Sequence, residues 1–126
     1  MKCYMPAFVT VLAAIGAIPF VAAEPPAIVV RMTDSKTFEP KSITVKAGDT
    51  VLWKNESKMT HSVTDEPALA GTAEDAALPP NAKEFNSGLL APGKDYSYTF
   101  TVPGTYRYFC IPHEQVGMLG TVVVSK

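Results

Sequence analysis

Only two histidines occur in the 126 residues, His61 and His113, and the second lies in the run Cys110-Ile111-Pro112-His113-Glu114-Gln115-Val116-Gly117-Met118. A thiol, an imidazole and a thioether thus fall within nine residues. Singly, each has an ordinary explanation: buried Cys as a small hydrophobe, Met as core filler, His as a hydrogen-bonded structural residue. Together with His61 they form a donor set that favours copper. Soft sulfur ligands select Cu(I), imidazole suits both oxidation states, and a weak axial Met marks a blue-copper centre. Zinc is the competing metal, but structural zinc sites take four Cys/His ligands without a thioether, and catalytic sites keep a position open for water.

The cysteine count sharpens this. Lys2 is followed by an uncharged run from Tyr4 to Ala23 that ends in Val21-Ala22-Ala23, a small-residue cleavage pattern. Residues 1–23 are therefore expected to be a secretory signal peptide, with 24–126 as the mature domain. Contact with a membrane is expected only if that leader is retained. Cleavage would remove Cys3 and Lys2, leaving 103 residues, a formal charge of −2 and a single cysteine, Cys110. One thiol cannot form an internal disulfide, so Cys110 is an inert core residue, an intermolecular bridge, a nucleophile or a ligand.

The positioning elements read as strands. Alternation and β-branched content mark Ala27–Thr33, Ser42–Ala47, Thr50–Asn55, Thr105–Cys110 and Leu119–Ser125. Gly48-Asp49 suits a tight hairpin between the second and third. Tyr96, Tyr98, Phe100 and Val102 alternate with Ser97, Thr99 and Thr101, which places aromatics on one face and hydroxyls on the other. Thr60–Val63 fits a short strand with His61 and Val63 facing the same way. From Asp65 to Gly93 no period is sustained; a helical turn near Glu74–Leu78 and a strand stub at Glu84–Asn86 are expected there. Asp65-Glu66 and Glu74-Asp75 read as scattered surface charge. Short strands without a long helix give an all-β class and a β-sandwich.

Composition agrees. At 47% hydrophobic and 18% charged residues the chain is too apolar for disorder, and 11 Lys+Arg against 12 Asp+Glu give no electrostatic reason to expect nucleic acid. Asn55-Glu56-Ser57 matches the N-glycosylation acceptor pattern.

From Phe38 to Val124 the chain resembles the cupredoxins, and among them the plastocyanin-like small blue copper proteins. The resemblance rests on Phe38-x-Pro40, Ile43-x-Val45, Gly48-Asp49-Thr50-Val51, Trp53-x-Asn55, His61-Ser62-Val63, Pro103-Gly104-Thr105-Tyr106 and the Cys110-x2-His113-x4-Met118 loop. It implies a Greek-key β-sandwich of seven to eight strands. It also implies one type 1 copper ion with His61, Cys110 and His113 as trigonal ligands and Met118 as the long axial one. His113 is then the ligand whose ring reaches the surface, through an apolar patch of Met59, Pro112 and Val116. Asn55 is expected to tie the two ligand loops together through its amide. In place of the Asn that many relatives carry after the first His, this chain has Ser62.

Family members cycle Cu(II)/Cu(I), so the resemblance implies an electron shuttle between redox proteins, not an enzyme; the expected leader makes it periplasmic or otherwise exported, and a monomer is expected. A thiol enzyme lacks an orienting partner for Cys110 and His113, and a copper oxidase needs histidines this chain does not have. The alternative from another class is a periplasmic copper carrier or storage protein, which requires exchangeable metal.

Overall fold

The computed structural model describes residues 11–19 and 28–126. Of the expected leader, 11–19 are exposed and carry no regular secondary structure; 1–10 and 20–23, including the cleavage pattern, lie outside the described residues, as do 24–27 of the expected mature domain. Among the described residues no helix is long and apolar enough to cross a membrane.

The strands are β1 (Ile28–Met32), β2 (Phe38–Glu39), β3 (Ser42–Lys46), β4 (Thr50–Asn55), β5 (Thr64–Asp65), β6 (Phe85–Asn86), β7 (Asp95–Thr99), β8 (Gly104–Phe109) and β9 (Leu119–Ser125). They form two sheets, ordered β2-β1-β4-β7 and β3-β9-β8-β5-β6. This is the expected all-β sandwich, with additional segments in β2 and β5, each only two residues long.

Period-two burial explains why the sheets face each other. Val30 and Met32 of β1, Val51, Trp53 and Asn55 of β4, Tyr106 and Tyr108 of β8, and Val122 and Val124 of β9 all point inward. Trp53 sits at the centre, with ring centroids of Tyr108, Tyr96 and Phe100 at 5.5, 5.9 and 6.2 Å. Its indole N–H donates to the Tyr108 hydroxyl at 3.1 Å, which satisfies the buried polar end of each ring. Tyr108 pairs across the sheet with Gly120. A Cβ at Gly120 would lie 2.2 Å from Tyr108 Cζ, so only glycine leaves room for this ring against β9.

The expected hairpin at Gly48-Asp49 is not one. β3 pairs in parallel with β9, whereas β4 pairs in parallel with β1 and antiparallel with β7. The turn is tight, with Asp49 N–H donating to Lys46 O and Asp49 Oδ2 accepting from Lys46 N–H. It nevertheless steps between sheets, fastened by Ala47 N–H to Ser125 O and Gly48 N–H to Phe100 O. Inward and outward alternation is the same for a hairpin and for a corner between facing sheets, so the pattern could not distinguish them.

In the irregular segment the chain makes 3₁₀ turns at Pro67–Leu69 and Ala73–Asp75, the second overlapping the expected helical turn, and the expected stub appears as β6. Asp65 is fully buried and not part of a charged surface.

Candidate metal centre

β8 delivers Cys110 to one end of the sandwich, where the strand gives way to a 3₁₀ turn over Ile111–Val116 that carries His113. Pro112 sits in its first turn, where a missing N–H costs nothing. Gly117 ends the turn at φ +87°, a left-handed conformation that suits glycine. The loop closes on itself: Met118 N–H donates to His113 O at 3.2 Å, and Cys110 N–H to Met118 O at 3.1 Å. Backbone bonds therefore fix Met118 against both other residues of the motif, and Met118 is fully buried.

His61 arrives from the far side of the sequence. It is a single bridge residue, exchanging both backbone bonds with Leu90 at 3.1 and 2.7 Å, so the expected strand at Thr60–Val63 begins only at Thr64. Its Nε2 lies 3.1 Å from Thr33 O. Since a carbonyl only accepts, Nε2 carries the proton and Nδ1 presents a lone pair in the neutral ring.

Three donor atoms converge. His61 Nδ1 and His113 Nδ1 are 3.1 Å apart, and Cys110 Sγ lies 3.6 and 3.4 Å from them. A triangle with these edges has its centre about 2 Å from each corner, the length of metal bonds to imidazole nitrogen and thiolate sulfur, about 2.0–2.3 Å. His61 and Cys110 are fully buried, and His113 is partly exposed.

Electrostatics fits a cation at that centre. Burial lowers the pKa of His61, with the Thr33 carbonyl working against it, and burial and the Lys36 charge lower that of His113, so both rings are held neutral and ready to ligate. Burial pushes the Cys110 thiol up, partly offset by hydrogen bonds from Ser62 and His113. A bound cation reverses that balance, because a coordinating thiol is deprotonated outright.

Residues 27–125 match the family described as copper binding proteins, plastocyanin/azurin family. The chain belongs to that family. It is 43% identical over 89 residues to a plastocyanin of Scenedesmus fuscus, covering 70% of this chain and 86% of that protein. It is 40% identical over 89 residues to a chloroplastic plastocyanin of Tetradesmus obliquus, covering 70% of this chain and 58% of that longer protein. A solved structure of an oxidised amicyanin mutant superposes with a TM-score of 0.62 at 33% identity, covering 82% of this chain and 86% of the other. The two imidazoles and one thiolate of this cupredoxin match the copper its family binds, since sulfur and imidazole are the ligands copper prefers.

The neighbours that hold the donors were only partly legible beforehand. Ser62 N–H donates to Cys110 Sγ at 3.3 Å, and Ser62 Oγ accepts from Ile111 N–H at 2.8 Å while pairing with Thr64 Oγ1 at 2.9 Å. Ser62 is thus the tie between the two ligand loops. Asn55 does a different task from the one expected: its amide donates to Met59 O and Leu90 O at 2.8 and 3.0 Å and accepts from Ser57, bracing the approach to His61. With Asn55 2% exposed, the glycosylation pattern has no accessible acceptor. The Thr33 carbonyl and Leu90 had no signal in the sequence, because backbone partners follow from which segments cross.

Proposed function

We propose that His61, Cys110 and His113 hold one copper ion with Met118 as a weaker fourth ligand, and that the protein passes single electrons between redox proteins. When bound, copper supplies the Cu(II)/Cu(I) couple that accepts and returns one electron. The protein's contribution is geometric. Thr33 O fixes the tautomer and ring orientation of His61, Ser62 N–H bonds to the Cys110 sulfur, and the closed loop fixes Met118, so little has to move when the charge changes. Four protein ligands leave no place for a substrate, which supports a carrier of electrons over an enzyme.

The partly exposed His113, flanked on its turn by exposed Pro112 and by Val116 at 65% exposure, is the route by which electrons enter and leave. Met59, half-buried, adds to this apolar rim. The leader at 1–23 directs the protein out of the cytoplasm as a periplasmic monomer and is cleaved after Ala23. Complete burial of His61, Cys110 and Met118 favours retained copper over the exchangeable metal of a carrier or store.

The observation that carries this reading is the donor triangle of 3.1, 3.4 and 3.6 Å. Addition of Cu(II) to the purified protein should give an intense visible band and a reversible one-electron couple. A colourless adduct that loses its copper rapidly to another protein would instead support the carrier.

A further inference from the structure

The ligand loop is fastened at a second point that the copper chemistry does not require. Glu114, next to His113 and half-buried, reaches across to the irregular segment, 42 and 43 residues away in sequence. There Oε1 accepts from Gly71 N–H at 3.0 Å and from Thr72 N–H at 3.1 Å, and Oε2 accepts from Gly71 N–H at 3.0 Å. Gly71 and Thr72 lie between the 3₁₀ turns at Pro67–Leu69 and Ala73–Asp75. The same segment is fixed to β8 by Ala77, which exchanges both backbone bonds with Arg107 at 3.0 Å, and by Arg107 Nη1 donating to Glu74 O at 3.0 Å.

The stretch from Gly71 to Ala77 is therefore a strut. One end is bonded to the strand that delivers Cys110, the other to the turn that carries His113. A carboxylate that accepts bonds from successive backbone N–H groups is a strong, directional anchor. It restrains the 3₁₀ turn through a side chain, in addition to the backbone bonds that Met118 makes.

We propose that Glu114 is a positioning residue for the metal site: by clamping the His113 turn onto Gly71 and Thr72, it makes the irregular segment part of the scaffold that holds the donor atoms in place. This rests on the reading of His61, Cys110, His113 and Met118 as ligands. The Glu114 carboxylate bonds to Gly71 and Thr72, not to a donor atom of the triangle, and acts through the turn.

The test compares Glu114→Ala, Glu114→Gln and Glu114→Asp with the wild-type full chain. Gln keeps the reach and an acceptor oxygen but loses the charge; Asp keeps the charge and loses the reach. In the metal-free protein, hydrogen exchange at the Gly71 and Thr72 amides should quicken most in Ala and Asp and less in Gln, which keeps one acceptor oxygen but not the charge. In the copper-loaded protein, loss of copper to a soluble Cu(I) chelator after reduction should be roughly tenfold faster in Ala and Asp, with Gln between them and wild type. Should Ala fail to fold, the Asp and Gln pair decides. Quickened amide exchange in Asp with copper loss and the visible band unchanged would overturn the positioning role. Unchanged amide exchange in Asp would overturn the clamp itself. A wild-type protein that develops no visible band with Cu(II) would instead defeat the ligand assignment, while the metal-free exchange experiment still reports on the clamp.

Discussion

The backbone N–H of Ser62 points at Cys110 Sγ from 3.3 Å while the hydroxyl of the same residue holds Ile111 N–H at 2.8 Å. One residue thus addresses both the sulfur and the first residue of the ligand turn, across 48 positions of sequence. Replacing Ser62 by Ala keeps the N–H to sulfur but leaves Ile111 N–H without its acceptor at a partly buried position. Unfolding of the Ser62→Ala protein should show a loss of about 0.5–1.5 kcal/mol, the net worth of a hydrogen bond at a partly buried site. Stability within experimental error of wild type would show that the tie carries no load.

The scaffold should not need the metal. His61 is placed by Leu90 and Thr33, and Cys110 by Met118 and Ser62, all through protein hydrogen bonds. Cys110→Ser should therefore fold with native β-sheet circular dichroism while failing to develop the visible band with Cu(II). A variant without native β structure would show that the cysteine, or the metal it binds, is required for folding.

How far the sequence was legible follows from how local each signal is. Cys110, His113 and Met118 lie in one short loop, and His61 is the only other histidine, so the cluster could be named from residue types and spacing. The partners that aim these side chains depend on which strands cross. Thr33 contributes a backbone carbonyl, and Leu90 a bridge to His61, neither of which leaves a mark in the residue pattern. The same limit explains Gly48-Asp49, where alternation was read correctly and the destination of the strands was not. Asp65, beside acidic Glu66, has the pattern of surface charge, yet β5 carries it inside.

That burial has a pH signature. Asp65 has both carboxylate oxygens buried without a hydrogen-bond partner. Burial raises its pKa from 3.8 to about 7; the nearby Ala77 N–H, already donating to Arg107 O, offsets part of this, and the Glu84 charge adds to it. The folded state thus binds a proton that the unfolded state has released between about pH 4 and 7. The group's contribution to stability is fully present below its unfolded pKa and is lost as pH rises through the folded one, by at most about 1.4 kcal/mol per pH unit. Asp65→Asn, neutral at every pH, should remove this slope: wild type minus variant stability should fall between pH 4 and 7 and level off above. A difference independent of pH would contradict it.

Packing at the core makes a further demand. Gly120→Ala would place a Cβ 2.2 Å from Tyr108 Cζ, and the ring is held by its bond from Trp53 and its contact with Phe38 at 4.7 Å between centroids. The variant should lose about 1–3 kcal/mol, the usual cost of overpacking, measured by denaturant unfolding of the metal-free protein. An unchanged midpoint would mean that Tyr108 moves aside freely, and the hydrogen bond to Trp53 would then have to be absent.

Two imidazole nitrogens and the Cys110 sulfur are placed to surround a single copper ion. X-ray absorption at the copper edge of the loaded protein reads those neighbours directly. Wild type should show one short sulfur scatterer and two imidazole nitrogens, with the short sulfur gone in Cys110→Ser. A wild-type spectrum fitted by nitrogen and oxygen alone would contradict it.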